Sequence, residues 1–470
     1  MSASPFSYDL VIIGSGPGGY RAAVLAALAG LKTAIIEKSD WGGTCLNRGC
    51  VPKKAWYATA RVLAARAGLA ERGIAGELAP DVPAAWRHQR RVVETVRASY
   101  VDYLKRLGVT RFTGAARFTG PRRVAFGTET LEAAHVIVAT GADAYVPPQL
   151  PRATGRILTT DDLFDAPAPA GRRVAVIGSG VVGTEMAFIL RLLGYDVVWL
   201  MHGAPLARAG YSAPALRLLR EALAAHGIAA RTGCRVRSAR IETDGVALEL
   251  PDGTVERVDW VLLGSGRVPH TASLDLAAAG VEADDRGFIR VNERQQTSQP
   301  GVCAIGDVAN PAMTSNHALA DAAVALANIV SSGSRVRRDE AVPVAVYSAV
   351  ELARIGLNED EAEDRGREPA IGFASFEASP AALAEGDARG FVRIVSDMDT
   401  GTLLGAELAG GEAAELVHVL GVDFGDPDAL ARIARMPFNH PTRAEEILNA
   451  TETLAAKWGL AGRILGLRRE

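Results

Sequence analysis

Cysteine is scarce in this chain, four residues in 470. A chain of this length with so few does not depend on disulfide staples, which is the usage of a reducing compartment. Net charge is almost absent, with 51 basic against 54 acidic residues. That balance removes the electrostatic case for nucleic acid or a membrane surface as partner. Two small basic clusters, Arg87, Arg90, Arg91 and Arg335, Arg337, Arg338, read as a solvated helix face and a loop. No apolar stretch reaches the ~18–20 residues of a membrane helix. The run Leu10-Val11-Ile12-Ile13 enters glycines directly and has no basic leader ahead of it, unlike a signal peptide. A soluble cytoplasmic protein is expected. Histidine is sparse near the cysteines, and no second cysteine pair stands by, so no metal site is expected.

Apolar residues make up 48% of the chain. One core supports ~250–300 residues, so two to four domains are predicted. Tyr8 to Ile13 reads as a buried strand. It leads into Gly14-Ser15-Gly16-Pro17-Gly18-Gly19, an Ala-rich helix from Tyr20 to Ala29, and a strand from Lys32 to Ile36 that closes on Glu37. The pattern recurs as a strand from Arg173 to Ile177, the loop Gly178-Ser179-Gly180-Val181-Val182-Gly183, a helix from Thr184 to Leu193 and a strand from Asp196 to Leu200. Between the two lie an amphipathic helix from about Ala84 to Leu107 and a turn-rich strand region from Thr110 to Leu131. Linkers are expected around Pro147, Pro148, Pro151, Pro167 and Pro169, and over Ser331 to Arg338. Residues 343–470 mix strands and helices without a nucleotide motif. The expected fold is α/β, with two Rossmann-like dinucleotide-binding domains and a C-terminal α+β domain. The expected boundaries are 1–149, 150–270, 271–340 and 341–470.

In a GxGxxG loop the first glycine permits the tight turn, the second lets the backbone approach a pyrophosphate, and the third lets helix and strand pack closely. The phosphates then meet the helix N-terminus. Gly14, Gly16 and Gly19 satisfy this, and Glu37 stands where an acid binds a ribose. Gly178, Gly180 and Gly183 repeat it. Glu37 follows Gly14 by 23 residues, and the same offset from Gly178 reaches Met201. An acid there favours NAD and a basic group favours NADP. The nearest polar groups are His202 and Arg208, so the choice between NAD and NADP stays open.

Cys45 and Cys50 sit just after the first unit, in Trp41-Gly42-Gly43-Thr44-Cys45-Leu46-Asn47-Arg48-Gly49-Cys50. Two thiols at this spacing beside a nucleotide loop point to a redox-active disulfide.

Taken together, the GGTCLNRGC segment, both glycine loops, Val138-Ala139-Thr140-Gly141-Ala142, Ala304-Ile305-Gly306-Asp307 and His440-Pro441-Thr442-Arg443-Ala444-Glu445 resemble the flavin-dependent pyridine nucleotide–disulfide oxidoreductases from end to end. The resemblance is strongest to the dihydrolipoamide dehydrogenase branch, through segments such as Val346 to Ala353 and Ser379 to Ile394. It implies that the first loop holds FAD, helped by Gly43, Thr44, Thr140, Gly141, Gly306 and Asp307. It implies that the second loop, with Gly266, takes NAD(P), and that the C-terminal domain forms a homodimer interface. Cys50 would face the flavin as thiolate, and Cys45 would exchange with a lipoyl group on a protein or free lipoamide. His440 would be the acid–base, oriented by Glu445, and Lys53 would lie by the flavin, paired with Glu185. The implied reaction oxidises dihydrolipoyl groups and passes hydride to NAD(P)+, reversibly. Two features depart from that branch: Val51-Pro52-Lys53-Lys54 is similar to the glutathione reductase branch, and the acid at Met201 is missing. The alternative is an NADPH-dependent reductase of a small disulfide or a metal ion. Ala322 stands near where the glutathione branch has a substrate-binding arginine.

Overall fold

The computed structural model of the chain describes residues 6–458 apart from 151, 153–154, 332–333 and 423. Pro151 and part of the second expected linker therefore lie outside the described residues, as does the end of the C-terminal segment. The chain divides into two compact units. The first comprises the chain up to Trp56 with Val82–Ala170 and Leu262–Arg338; the second comprises Tyr57–Asp81, Gly171–Val261 and the chain from Asp339 on.

The first unit is built on a parallel sheet ordered Thr110–Thr113, Thr33–Glu37, Tyr8–Ile13, Glu129–Val138, with Val302–Ala304 pairing the far side of Glu129–Val138. Side chains alternate across such a sheet, and both faces here are apolar. Leu10 and Ile12 pack with Ala22, Ala26, Ala322 and Ala325. Val11 and Ile13 pack with Phe118, Val124 and Val136. The alanines come from the helices Pro17–Leu28 and Ser315–Val330, which lie against each other. Cys303 is buried in the strand Val302–Ala304, as a core residue. The long helix runs Val82–Arg106, and the turn-rich region resolves into four strands ending at Val138.

The second unit repeats the parallel pattern with Ala229–Arg231, Asp196–Leu200 and Arg173–Ile177 in that order. Its C-terminal part is a five-stranded antiparallel sheet ordered Val344–Tyr347, Glu351–Gly356, Leu403–Gly410, Gly390–Asp397, Pro369–Ser375. Helices Ala413–Gly421, Ala429–Arg435 and Glu445–Trp458 supply the rest of that core, with Ile355, Phe376, Ile394 and Leu408 from the strands. Among the described residues no helix is long and apolar enough to cross a membrane.

Candidate active site

The first glycine loop has the geometry its spacing predicts. Gly14 has φ +99° and its N–H donates to the Ile36 carbonyl at 2.8 Å. A Cβ on Gly19 would lie 1.9 Å from the Gly14 oxygen, so helix and strand are as close as backbones allow. A Cβ on Gly16 would meet nothing within 4 Å, which leaves the backbone open at the helix N-terminus. Glu37 is buried, and its carboxylate accepts from Ser15 N at 2.9 Å, Ser15 Oγ at 2.6 Å and Ser39 N at 3.0 Å. Beyond any part in ribose binding, this acid clamps the loop it follows. Ser15 Oγ in turn accepts from Gly42 N at 2.9 Å.

That bond ties the loop to the cysteine segment. Gly42 takes φ +96° before the short helix Gly43–Arg48, and a Cβ on Gly43 would come within 2.7 Å of Gly16 Cα. Asn47 donates to the Trp41 and Gly43 carbonyls and accepts from Arg97 Nε at 2.8 Å. Cys50 opens the 15-residue helix Cys50–Ala64. Cys45 is half-buried and within hydrogen-bond reach of Cys50; that contact first, and burial second, push its thiol well above the ordinary cysteine range. Cys50 is exposed at a helix N-terminus, where the dipole stabilises an anion, and Ser315 Oγ lies 3.4 Å from its sulfur. Tyr100, stacked on Tyr20 with centroids 4.0 Å apart, is raised in pKa by burial and then by the two cysteines. Neither Ser315 nor Tyr100 carries a motif that singles it out in sequence.

Elsewhere in the first unit, Gly306 N donates to buried Asp321 at 3.0 Å, and Gln295 and Asn310 donate to the same carboxylate. This fixes the Gly306–Asp307 turn. Burial raises the Asp307 pKa, and the Arg267 guanidinium, 3.7 Å away, opposes the rise. Arg267 Nε and Asp161 Oδ1 are buried without a hydrogen-bond partner among the described residues. Thr140 Oγ1 donates to the His270 carbonyl at 2.8 Å, beside Gly141 at φ +73°. An open glycine backbone, buried polar atoms with unused capacity and a cation beside an acid suit a phosphorylated, ribityl-bearing group such as FAD. Gly266, expected at the nicotinamide nucleotide, lies in this unit next to Arg267, its carbonyl accepting from Tyr145 N at 2.9 Å. Asp321 and Arg267 escape a motif search because they come from distant stretches of chain.

The second glycine loop has the same shape. Gly178 has φ +128°, a Cβ on Gly183 would sit 2.1 Å from the Gly178 oxygen, and one on Gly180 would meet nothing within 4 Å. Met201 is buried, while His202 and Arg208 are exposed. Glu185 is buried in the helix Val181–Leu192 and accepts from Tyr347 N at 2.9 Å. Lys53 is half-buried in the helix Cys50–Ala64.

His440 and Glu445 come together as the motif predicts. Glu445 opens the last helix; it accepts from Thr442 N at 2.7 Å and engages His440 Nδ1 at 2.9 Å. Those two contacts, the Thr442 bond first, hold its carboxyl below the ordinary range. With Nδ1–H donated to a carboxylate, neutral His440 presents Nε2 as the basic nitrogen. The ring is 70% exposed, so its working partner must come to it. Arg443, in the same motif, is buried, donates to Glu385 at 2.9 and 2.8 Å and anchors the segment. Glu445→Gln is expected to lower turnover at least about tenfold, and up to the ~10⁴ that loss of the orienting carboxylate costs in a triad, because the ring stays but its tautomer is no longer held. Steady-state kinetics check this; an unchanged kcat would remove Glu445 from the site. Among the described residues no cluster of three His, Cys, Asp or Glu is placed to hold a metal.

Residues 8–327 match the family described as pyridine nucleotide-disulphide oxidoreductase, and residues 342–451 match its dimerisation domain. A dihydrolipoyl dehydrogenase of Thermus scotoductus is 36% identical, with 95% of this chain and 97% of that protein aligned. A glutathione reductase of Burkholderia cepacia is 32% identical over 94% of this chain and 98% of its own length. Among solved structures, LpdA of Mycobacterium tuberculosis superimposes with a TM-score of 0.88 at 24% identity, covering 95% of this chain and 99% of that one, which is a likeness of fold.

Proposed function

Because the chain belongs to the pyridine nucleotide-disulphide oxidoreductase family, we infer that it is a dihydrolipoyl dehydrogenase, oxidising dihydrolipoyl groups to the cyclic disulfide with NAD(P)+ as acceptor. The observation that carries this reading is the Cys45–Cys50 dithiol, whose segment is packed backbone to backbone on the first glycine loop. FAD, when bound, supplies two-electron transfer between the dithiol and the nicotinamide.

The chain's own residues divide the work. The loop Gly14–Gly19, with Glu37, Gly43, Thr44, Thr140, Gly141, Gly306 and Asp307, holds the flavin nucleotide. Gly178, Gly180 and Gly183 receive the nicotinamide nucleotide, with His202 and Arg208 following the next strand; Gly266 belongs to the first unit. Cys45 needs a base to take its proton when it attacks a disulfide, and the resulting acid returns a proton when it leaves one. We assign that base to His440 of the second subunit of a homodimer, oriented by Glu445. Lys53, three residues into the helix that Cys50 opens, supplies positive charge that favours the anionic state of the redox centre. In modular terms, 1–149 and 271–340 serve the flavin, 150–270 the nicotinamide nucleotide and 341–470 the dimer interface. A lipoyl-bearing protein or free lipoamide is the substrate.

Steady-state rates with dihydrolipoamide and with glutathione disulfide, each with both nicotinamides, test the reading. Dihydrolipoamide turnover should dominate, with weak discrimination between NAD+ and NADP+ or a modest preference for the NADP couple, because Met201 stands where an acid would repel the 2′-phosphate. Met201→Glu should move the preference toward NAD+. A wild-type preference for NAD+ above about a hundredfold, ~2.7 kcal/mol, would place the choice in other residues. Val51-Pro52-Lys53-Lys54 favours the small-disulfide alternative, whereas Ala322 is fully buried and offers no contact to a substrate. Faster glutathione disulfide reduction with NADPH would replace the present reading.

A further inference from the structure

The two glycine loops of this chain share their shape but not their support. In the first, the acid after the second strand binds the loop serine twice, Glu37 to Ser15 N and Oγ. The second loop has the matching serine, Ser179, but Met201 has no acceptor to offer it. Two other contacts appear instead. The fully buried Trp199 donates its indole N–H to the Gly178 carbonyl at 2.7 Å. Leu206, in the left-handed region at φ +55°, donates its N–H to the Ser179 carbonyl at 2.8 Å. At the position matching Trp199 the first unit has Ile35, which has no donor.

We propose that Trp199 is a positioning residue of the nicotinamide-nucleotide site, holding the first glycine of the 178–183 loop in place of the missing acid clamp. Gly178 N–H is already donated to the Leu200 carbonyl at 3.0 Å, so the indole fixes the other side of the same residue. It also lies under the third glycine, where a Cβ on Gly183 would come 3.3 Å from Nε1. The loop is thereby preset for the pyrophosphate, which both nicotinamide nucleotides share. Losing the bond should therefore weaken both alike, whereas a ribose contact discriminates between them. The proposal rests on the reading that this loop takes the nucleotide.

The test is direct titration of NAD+ and NADP+ into holoenzyme, with FAD content and flavin reduction by dihydrolipoamide measured alongside. Trp199→Phe should raise both dissociation constants about tenfold, ~1.4 kcal/mol, and leave the dihydrolipoamide half-reaction unchanged. Trp199→Met, with a flexible chain to fill the space, carries the same expectation where the Phe variant does not fold. Met201→Glu added to Trp199→Phe should recover NAD+ binding by more than it improves the wild type, because it rebuilds the Ser–Glu clamp of the first loop. Dissociation constants within about twofold of wild type, or additive effects of the two changes, would overturn the proposal. Gly180→Ala separates the underlying reading. Its backbone tolerates a Cβ, which would then occupy the phosphate approach. If that variant binds nucleotide normally, the loop is not the site at all. If it fails to bind while the Trp199 variants bind normally, only the role of Trp199 falls.

Discussion

Cys50→Ser is expected to cut dihydrolipoamide turnover below about a thousandth of wild type while the purified protein keeps its flavin. Removing one member of a unit that acts together costs most of its rate enhancement. On the proposed reading the unit is the dithiol, with Cys50, at the head of its helix, as the thiolate and Cys45 as the thiol that exchanges with substrate. The flavin should remain because the nucleotide loop is supported by Glu37, Ser15 and the Gly43 backbone, none of which involves either sulfur. Flavin absorbance per chain and lipoamide kinetics on one preparation decide the matter. A colourless variant would place the cysteine segment inside the flavin site, and near-normal turnover would move the redox centre elsewhere.

The second large effect concerns two chains at once. His440→Ala should lower turnover by about 10²–10⁴-fold, the usual worth of a general acid–base. Mixing this variant with Cys50→Ser under subunit exchange should then return about a quarter of wild-type activity, since half the randomly formed dimers hold one intact site of two. The warrant is the exposed His440 ring, oriented by Glu445 but unburied, together with the match to a dimerisation domain. Native mass spectrometry shows whether exchange has occurred. Exchange without recovered activity, or full turnover by a stable monomer, would refute the shared site.

The glycine loops, the cysteine segment and the His440–Glu445 pair were legible in the sequence because each is a short-range device. A glycine at φ +99° or +128° and another whose Cβ would strike a carbonyl are demands of local backbone geometry, and only glycine meets them. What the sequence could not reveal is what each of these devices rests on. Asp321 under Gly306, Arg267 beside Asp307, Ser315 against Cys50 and Trp199 beneath Gly178 join residues distant along the chain. Their meeting depends on strand register and helix packing. Even Glu37, recognised by its spacing, proved to spend its acceptors on Ser15 and Ser39, a use set by how the strand end faces the loop. Spacing along the chain determined which groups take part, and tertiary packing decided what holds them, because a buried polar group takes whichever partner the fold brings within 3 Å.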